Sequence, residues 1–424
     1  MSLRKDKRMK KNEGYRRIPD YVDTLDGFRA AAAVLVMMFH YWQQSWVSMV
    51  VQIGSFRIDF TPIVSFGGVG VELLFVLSGF CLYYPLAMHP ERKLNIGTYV
   101  YKRCVRILPS YLLGVIICSA YQIGRLDPAL LLDQFIGNMT LTQMRTASLA
   151  YNHLNPVFWS LAIEAQFYLI FPLLVKIYKK QPYWVMIAAV VIGETWRWYQ
   201  REIDHSQINW LMNQLPGMID VFVGGMTAAH VAAMFRRTLT DEQKKAYAPA
   251  FSLMLLMFFM VYIFVTKYIY MHRYDNIADN MSRLQMYTRK YLIISFAGMI
   301  LCSVFSCGWV RKVFGNPVTR FVGGISYQLY LWHMWICLRL KDFRIPAYVT
   351  ERPMDDLAWR MPYLLLSIGL SVAAAVLMTY FYERPVSQFL FAHAPRWSGM
   401  KQQKKTGKHE KRTDEVKDVS EETA

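Results

Sequence analysis

Apolar residues in this chain run in long blocks, not in strict alternation. Ten blocks reach the length of a membrane-spanning helix: about 26–47, 66–88, 106–124, 157–177, 183–199, 215–234, 247–267, 290–306, 321–339 and 361–382. A helix needs roughly 20 mainly apolar residues to cross the hydrocarbon core. The pattern predicts an all-α fold, a polytopic transmembrane helix bundle of about ten spans. With the N-terminus inside, the inner segments are 1–25, 89–105, 178–182, 235–246, 307–320 and 383–424. Roughly 32 of the 48 Lys and Arg then fall on the inner face and about 15 on the outer, which supports an N-in, C-in topology. Three segments follow: a basic cytoplasmic stretch at 1–25, a transmembrane domain at 26–385, and a charged cytoplasmic tail at 386–424. The tail beyond Pro395 has no apolar period, so disorder is expected there, with attraction to anionic lipid. No internal repeat is visible. No cleavable signal is expected either, because the first apolar block lacks a small-residue cleavage site and should remain as a span.

Composition agrees with the blocks. Hydrophobic residues make up 54% of the 424 positions and charged residues 18%, against about 25% charged in a soluble domain. The mean hydropathy is +0.18. A net charge of +18 is compatible with nucleic acid, but its distribution is not that of a binding face. The basic residues lie in a run from Arg4 to Arg17, in the tail from Lys401 to Lys417 and in alternate short loops, which is a topology signal; no nucleic-acid partner is expected. Cys81, Cys104, Cys118, Cys302, Cys307 and Cys337 lie in or beside apolar blocks without ligand spacing, so they read as reduced packing residues and no metal site is expected.

Ionisable groups inside spans are costly and usually face the bundle interior or a water-filled cavity. The first span carries Asp26, Arg29 and, eleven residues after the arginine, His40. Eleven residues are close to three turns, so Arg29 and His40 share a face about 16 Å apart. Asp26 is one turn from Arg29 and suited to pair with it. His40 reads either as an interfacial aromatic beside Tyr41 and Trp42 or as a functional group deep in the bundle. The second span holds Gly67-Gly68-Val69-Gly70-Val71-Glu72 and then Leu77-Ser78-Gly79-Phe80; a buried Glu72 is as compatible with structure as with chemistry. Lys102-Arg103-Cys104-Val105-Arg106 precedes Pro109 at the inner end of the third span. These cations serve either as topology anchors or as an anion site for phosphates.

In the fourth span Ser160, Glu164 and Tyr168 repeat at i, i+4 and i+8 as one polar stripe. A mid-helix carboxylate demands a partner, and Arg29 is a plausible one. Asp220 precedes Gly224-Gly225 in the sixth span; Tyr327, Tyr330 and His333 lie one turn apart in the ninth. Tyr382-Glu383-Arg384-Pro385 closes the tenth span, where its charges read as anchors. The long outer loops at 125–156, 268–289 and 340–360 combine Tyr, Trp, Asn, Asp and Arg, which suits interfacial anchoring and sugar contact equally.

Taken in order, these residues resemble the acyltransferase 3 family of integral membrane acyltransferases, which modify bacterial surface polysaccharides and other acceptors. The resemblance runs from about Tyr21 to Pro385. Its most specific element is Arg29 followed by His40 after Leu25-Asp26-Gly27. Gly70-Val71-Glu72 with Leu77-Ser78-Gly79-Phe80, Arg103-Cys104-Val105-Arg106-Ile107-Leu108-Pro109, Trp159-Ser160-Leu161 with Glu164, Phe167 and Tyr168, and the closing set Tyr327, Tyr330, Leu331, His333 and Glu383-Arg384-Pro385 follow it. Two positions depart from the family pattern. Glu72 stands where Asp is commoner, and Ala30 where Gly usually follows the arginine.

The resemblance implies a membrane O-acyltransferase of the cell membrane that takes an acyl group, usually acetyl, from cytoplasmic acyl-CoA. The acceptor is then a hydroxyl of an extracytoplasmic carbohydrate or lipid-linked glycan. His40 is the expected general base, with Arg29, Glu72 and Glu164 orienting groups or balancing charge. Arg103 and Arg106 are expected on the donor phosphates. Ser160, Tyr330, His333 and Tyr168 are candidates for substrate contact or for the oxyanion. The hydrolase-like domain that some members carry is not evident, so the membrane part is expected to act alone or to hand its acyl group to a separate protein. A transporter or flippase of lipid-linked sugar is the alternative; buried charges fit it, but the motif series does not.

Overall fold

The computed structural model describes residues 22–203, 208–273 and 280–400; the basic run before residue 22 and the Lys-rich tail after Met400, where disorder was expected, lie outside the described residues. Among the described residues the chain is almost wholly helical. The helices of nine or more residues are α1 (Thr24–Ser45), α2 (Gly70–Met88), α3 (Ile96–Gln122), α4 (Pro128–Met139), α5 (Phe158–Tyr178), α6 (Pro182–Ile203), α7 (Leu215–Thr238), α8 (Asp241–His272), α9 (Asn280–Phe305), α10 (Pro317–Asp342), α11 (Leu357–Met378) and α12 (Arg384–Ala392). A single antiparallel hairpin, β1 (Val50–Ile53) with β2 (Phe56–Asp59), departs from the all-α pattern.

Every predicted apolar block falls on one long helix. The starts are set by local chemistry: Asn316 accepts from the Val318 and Thr319 amides ahead of α10, Asp356 from Ala358 and Trp359 ahead of α11, and Thr240 forms a capping box with Gln243 ahead of α8. These side chains satisfy amides that the helix itself leaves unpaired. Among the described residues, seven segments are long and apolar enough to cross a membrane, namely those of α2, α3, α5, α7, α8, α9 and the run from α11 into α12. The long helices outside that set, α1, α6 and α10, each carry ionisable groups in their bodies: Asp26, Arg29 and His40; Glu194 and Arg197; His333 and Arg339. Of these, Arg197 and His333 are fully buried.

Helix α1 lies between α2 and α10, and α2 packs closely on α7. Lipid offers no hydrophobic drive for helix association, so close approach through small residues carries the packing. Gly79 and Gly225 show this directly. A Cβ on Gly79 would collide with the Phe222 carbonyl of α7, and one on Gly225 with the Val76 carbonyl of α2. The two helices therefore touch backbone to backbone, on both sides of one crossing.

The chain stays folded past residue 385, where the tail was expected to begin. After α11 a π-turn at Thr379–Glu383 leads into α12, which lies on α3. The Tyr101 hydroxyl donates to the Leu390 carbonyl at 2.5 Å, and Thr98 Oγ1 to the Ser398 carbonyl at 2.8 Å.

Candidate active site

Helices α1, α2, α3, α5 and α10 enclose a cavity of about 100 Å³, room for several water molecules. Its lining changes character along its length. On α2 the lining residues run Val71, Leu74, Phe75, Leu77, Ser78, Cys81, and on α5 Ser160, Leu161, Glu164, Tyr168. Both helices present apolar and hydroxyl groups first and charged or polar groups one to two turns later. Arg29 of α1 joins the polar end, where its Nη2 donates to Cys81 Sγ at 3.3 Å and its Nη1 to Asp26 at 3.2 Å. Arg103 and Arg106 of α3 line the same cavity, three residues apart on one helical face. The Arg103 guanidinium stands 5.7 Å from the centre of the Tyr168 ring. Three guanidiniums and one carboxylate, Glu164, therefore line one small cavity. With Asp26 paired to Arg29, the lining still carries a net positive charge, which favours an anionic occupant.

Glu164 is fixed by two hydroxyls. Ser78 Oγ and the Tyr168 hydroxyl both donate to its Oε1 at 2.5 Å, so α2 and α5 are joined through one carboxylate oxygen. At the opposite end Ser160 Oγ lies 2.6 Å from the Tyr330 hydroxyl, and both reach the Val157 carbonyl. Cavity-facing Tyr327 is anchored by donation to the Ile107 carbonyl at 2.8 Å.

Just beyond Tyr330 is a pair of imidazoles. His40 Nδ1 lies 2.9 Å from His333 Nε2, with ring centres 5.0 Å apart. His333 is fully buried, its ring 5.8 Å from that of Tyr330, whereas His40 is partly exposed. The tautomers follow from the partners. His333 Nδ1 faces the carbonyls of Tyr330 (2.8 Å) and Leu329 (3.1 Å), which only accept, so it carries the proton. Neutral His333 then presents a lone pair at Nε2, and His40 Nδ1 must donate to it. On a neutral His40 ring the lone pair is then at Nε2. An imidazole held in one tautomer by a second group is the usual arrangement of a general base.

The structure thus brings Arg29, Arg103, Arg106, Glu164, Tyr168, Ser160 and Tyr330 to one cavity and sets His40 and His333 together beside it. Glu72 is elsewhere. Its carboxylate pairs with Arg289 of α9 at 3.4 Å, both nearly buried, while the Arg289 Nη2 also donates to Asn213. Asp220 of α7 is likewise paired, with Arg197 of α6 at 2.7 Å. Neither Arg289 nor Arg197 stood out in the sequence, because a cation at the end of an apolar block is indistinguishable from a topology marker. The Glu194/Arg197 pair at i, i+3 inside a block was the available signal. Glu383, expected to be an anchor, instead accepts from Gln328 Nε2 at 2.8 Å, and the same amide nitrogen donates to Ser110 of α3 at 2.7 Å. One turn beyond His40, Gln44 accepts from Lys341 at 2.7 Å, with the ammonium 4.2 Å from the Trp46 ring.

The fold and this site define a multi-pass helical membrane protein with a polar, cation-lined chamber in its bundle. The chain belongs to the acyltransferase 3 family, whose model, an acyltransferase domain, matches residues 22–380. It is similar to a putative O-acetyltransferase of Staphylococcus aureus (strain COL), 23% identical over 411 residues that cover 89% of this chain and 59% of that protein. It is also similar to peptidoglycan O-acetyltransferase OatA of Listeria monocytogenes, 24% identical over 407 residues, 89% of this chain and 57% of the relative. O-acetyltransferase OatA of Staphylococcus aureus (strain NCTC 8325) is 22% identical over 362 residues, 78% of this chain and 54% of the relative. The chain thus spans less than two thirds of the length of these relatives. No solved structure matches it significantly.

Proposed function

We propose that this protein is a membrane O-acyltransferase that moves an acetyl group from cytoplasmic acyl-CoA to a hydroxyl of an extracytoplasmic glycan. The observation that carries this is the gradient in the cavity: three guanidiniums at one end, apolar and hydroxyl groups at the other, and an oriented histidine next to that second end. A phosphate-bearing donor with a thioester at the tip of a long arm has the same order of groups. In the N-in orientation Arg103 and Arg106 stand on the cytoplasmic side, where the donor is. The relatives' printed activity, O-acetylation, with peptidoglycan named for one of them, supports a surface glycan as acceptor.

The chemistry balances on groups present. His40 Nε2 takes the proton of the acceptor hydroxyl as its oxygen attacks the thioester carbonyl. The tetrahedral oxyanion lies within reach of a hydroxyl donor from the Ser160–Tyr330 pair. Collapse expels the CoA thiolate, which takes the proton from the His40 imidazolium, and the ester leaves with the glycan. His333 acts as a positioning residue for His40 and does not touch substrate. Glu164 and Arg29 order the polar end of the chamber, and Glu72 acts from a distance through its pair with Arg289.

The test uses the full chain in sealed proteoliposomes with acetyl-CoA labelled in the acetyl group outside and a glycan acceptor within. Label is expected to move to the glycan, and His40→Ala is expected to stop it while the protein still unfolds at the wild-type temperature. Full activity in His40→Ala would refute the base assignment. Label on an added acyl-accepting protein would make that protein the direct acceptor, and glycan movement without acyl consumption would mark a transporter.

A further inference from the structure

One apolar wall of the chamber is a ring with little freedom to withdraw. Phe75 of α2 lines the cavity and is 2% exposed. Behind it Phe222 of α7 stacks at 4.5 Å between ring centres, and Phe167 of α5 stacks on Phe222 at 4.0 Å. Trp159 of α5 meets the Phe75 edge at 6.4 Å and 84°. Phe222 and Phe167 are both fully buried, so the three rings form a filled stack running from the cavity wall through the bundle. A buried ring leaves such a stack only by making a void or displacing neighbours.

The backbone under Phe75 is equally fixed. The crossing of α2 with α7 at Gly79 and Gly225 lies one turn further along α2, with no space between the main chains for even a methyl group. Neither a rotamer change nor a helix shift can deepen the chamber in this direction. Leu74 and Leu161 add apolar surface to the same lining, alongside the hydroxyls of Ser160 and Tyr330 and, one turn further along α2, of Ser78.

We infer that Phe75, braced by Phe222 and Phe167, is the residue that sets the length of the transferred acyl group, holding the site to acetyl and excluding longer chains. The inference rests on the acyl-transfer reading and deepens it. On this inference the acyl group sits against the Phe75 face, in the cavity that the Ser160 and Tyr330 hydroxyls also line. Each further methylene has to enter the stack itself. Discrimination of one methylene in a pocket of fixed shape is about 10- to 200-fold.

The experiment compares acetyl-, butyryl- and hexanoyl-CoA as donors to the full chain in proteoliposomes, reading free CoA release and the mass of the acyl group on the glycan. Wild type is expected to prefer acetyl over butyryl by about tenfold or more in kcat/KM. Phe75→Ala is expected to shift that ratio toward butyryl by at least about tenfold, and Phe75→Leu in the same direction by less. Phe75→Leu keeps an apolar side chain but shortens it, opening part of the same space, and serves where the alanine variant does not fold. An acetyl-to-butyryl ratio unchanged in Phe75→Leu, or a wild type that accepts hexanoyl as readily as acetyl, overturns the inference and leaves acetyl transfer standing. A wild type that transfers no acyl group from any donor overturns the acyl-transfer reading and this inference with it.

Discussion

His333 offers the sharpest test of the histidine pair. In the ground state its Nε2 accepts a neutral hydrogen bond from His40 Nδ1 at 2.9 Å. When His40 takes the acceptor proton it becomes an imidazolium, and the same bond becomes charge-assisted. Bonds to charged groups contribute about 1.5–3 kcal/mol. A neutral bond of about 0.5–1.5 kcal/mol is already present in the ground state, so only the gain of about 1–1.5 kcal/mol on protonation bears on kcat, roughly 5- to 13-fold at 1.36 kcal/mol per tenfold. His333→Phe keeps the ring volume and removes the acceptor, so it should show the full loss. His333→Gln places a carbonyl oxygen within reach of His40 Nδ1 and should recover a large part of the rate. Removing the base itself should lower the rate more, by about 10²–10⁴. In a His40→Ala background, His333→Phe should add almost nothing, because a partner cannot orient a base that is absent. The assay is acetyl transfer in proteoliposomes at saturating acetyl-CoA, with thermal unfolding followed in parallel. His333→Phe within twofold of wild type, or fully additive losses in the double variant, would refute the tautomer argument.

Other consequences are as direct. Glu72→Gln or Arg289→Met alone should destabilise the protein by about 3–5 kcal/mol, because each strands a buried charge, while Glu72→Gln with Arg289→Met should recover much of it; denaturation in nanodiscs reads this out. Glu164→Ala removes the shared acceptor of Ser78 and Tyr168 and should cost about 1–3 kcal/mol for each hydroxyl left unpaired, whereas Glu164→Gln keeps a carbonyl oxygen there and should lose less. Arg103→Ala with Arg106→Ala should raise the apparent KM for acyl-CoA far more than it lowers kcat; an unchanged KM would reduce both to topology signals. Gly79→Ala drives a methyl group into the Phe222 carbonyl and should cost about 1–3 kcal/mol, lowering the unfolding temperature.

What the chain alone determined is what depends on local order. Long apolar blocks named the helices, since length and mean polarity are properties of a segment. Spacing at i, i+4 and i+8 put Ser160, Glu164 and Tyr168 on one face, and three turns put Arg29 and His40 on another, because helix pitch needs no knowledge of neighbours. The order of these sets carried the family. What crosses from one helix to another was not legible. Glu164 was expected to be matched with Arg29, and its two hydrogen bonds come from Ser78 and Tyr168. Nothing in the spacing of His333 pointed to His40, 293 residues away. Arg289 and Arg197 looked like flanking cations until the bundle closed around their carboxylate partners. Even the number of spans has two parts: ten apolar blocks in the chain, and seven segments apolar enough to cross by composition alone. The difference lies in α1, α6 and α10, whose ionisable groups find partners only in the folded bundle: His40 of α1 with His333 of α10, and Arg197 of α6 with Asp220 of α7.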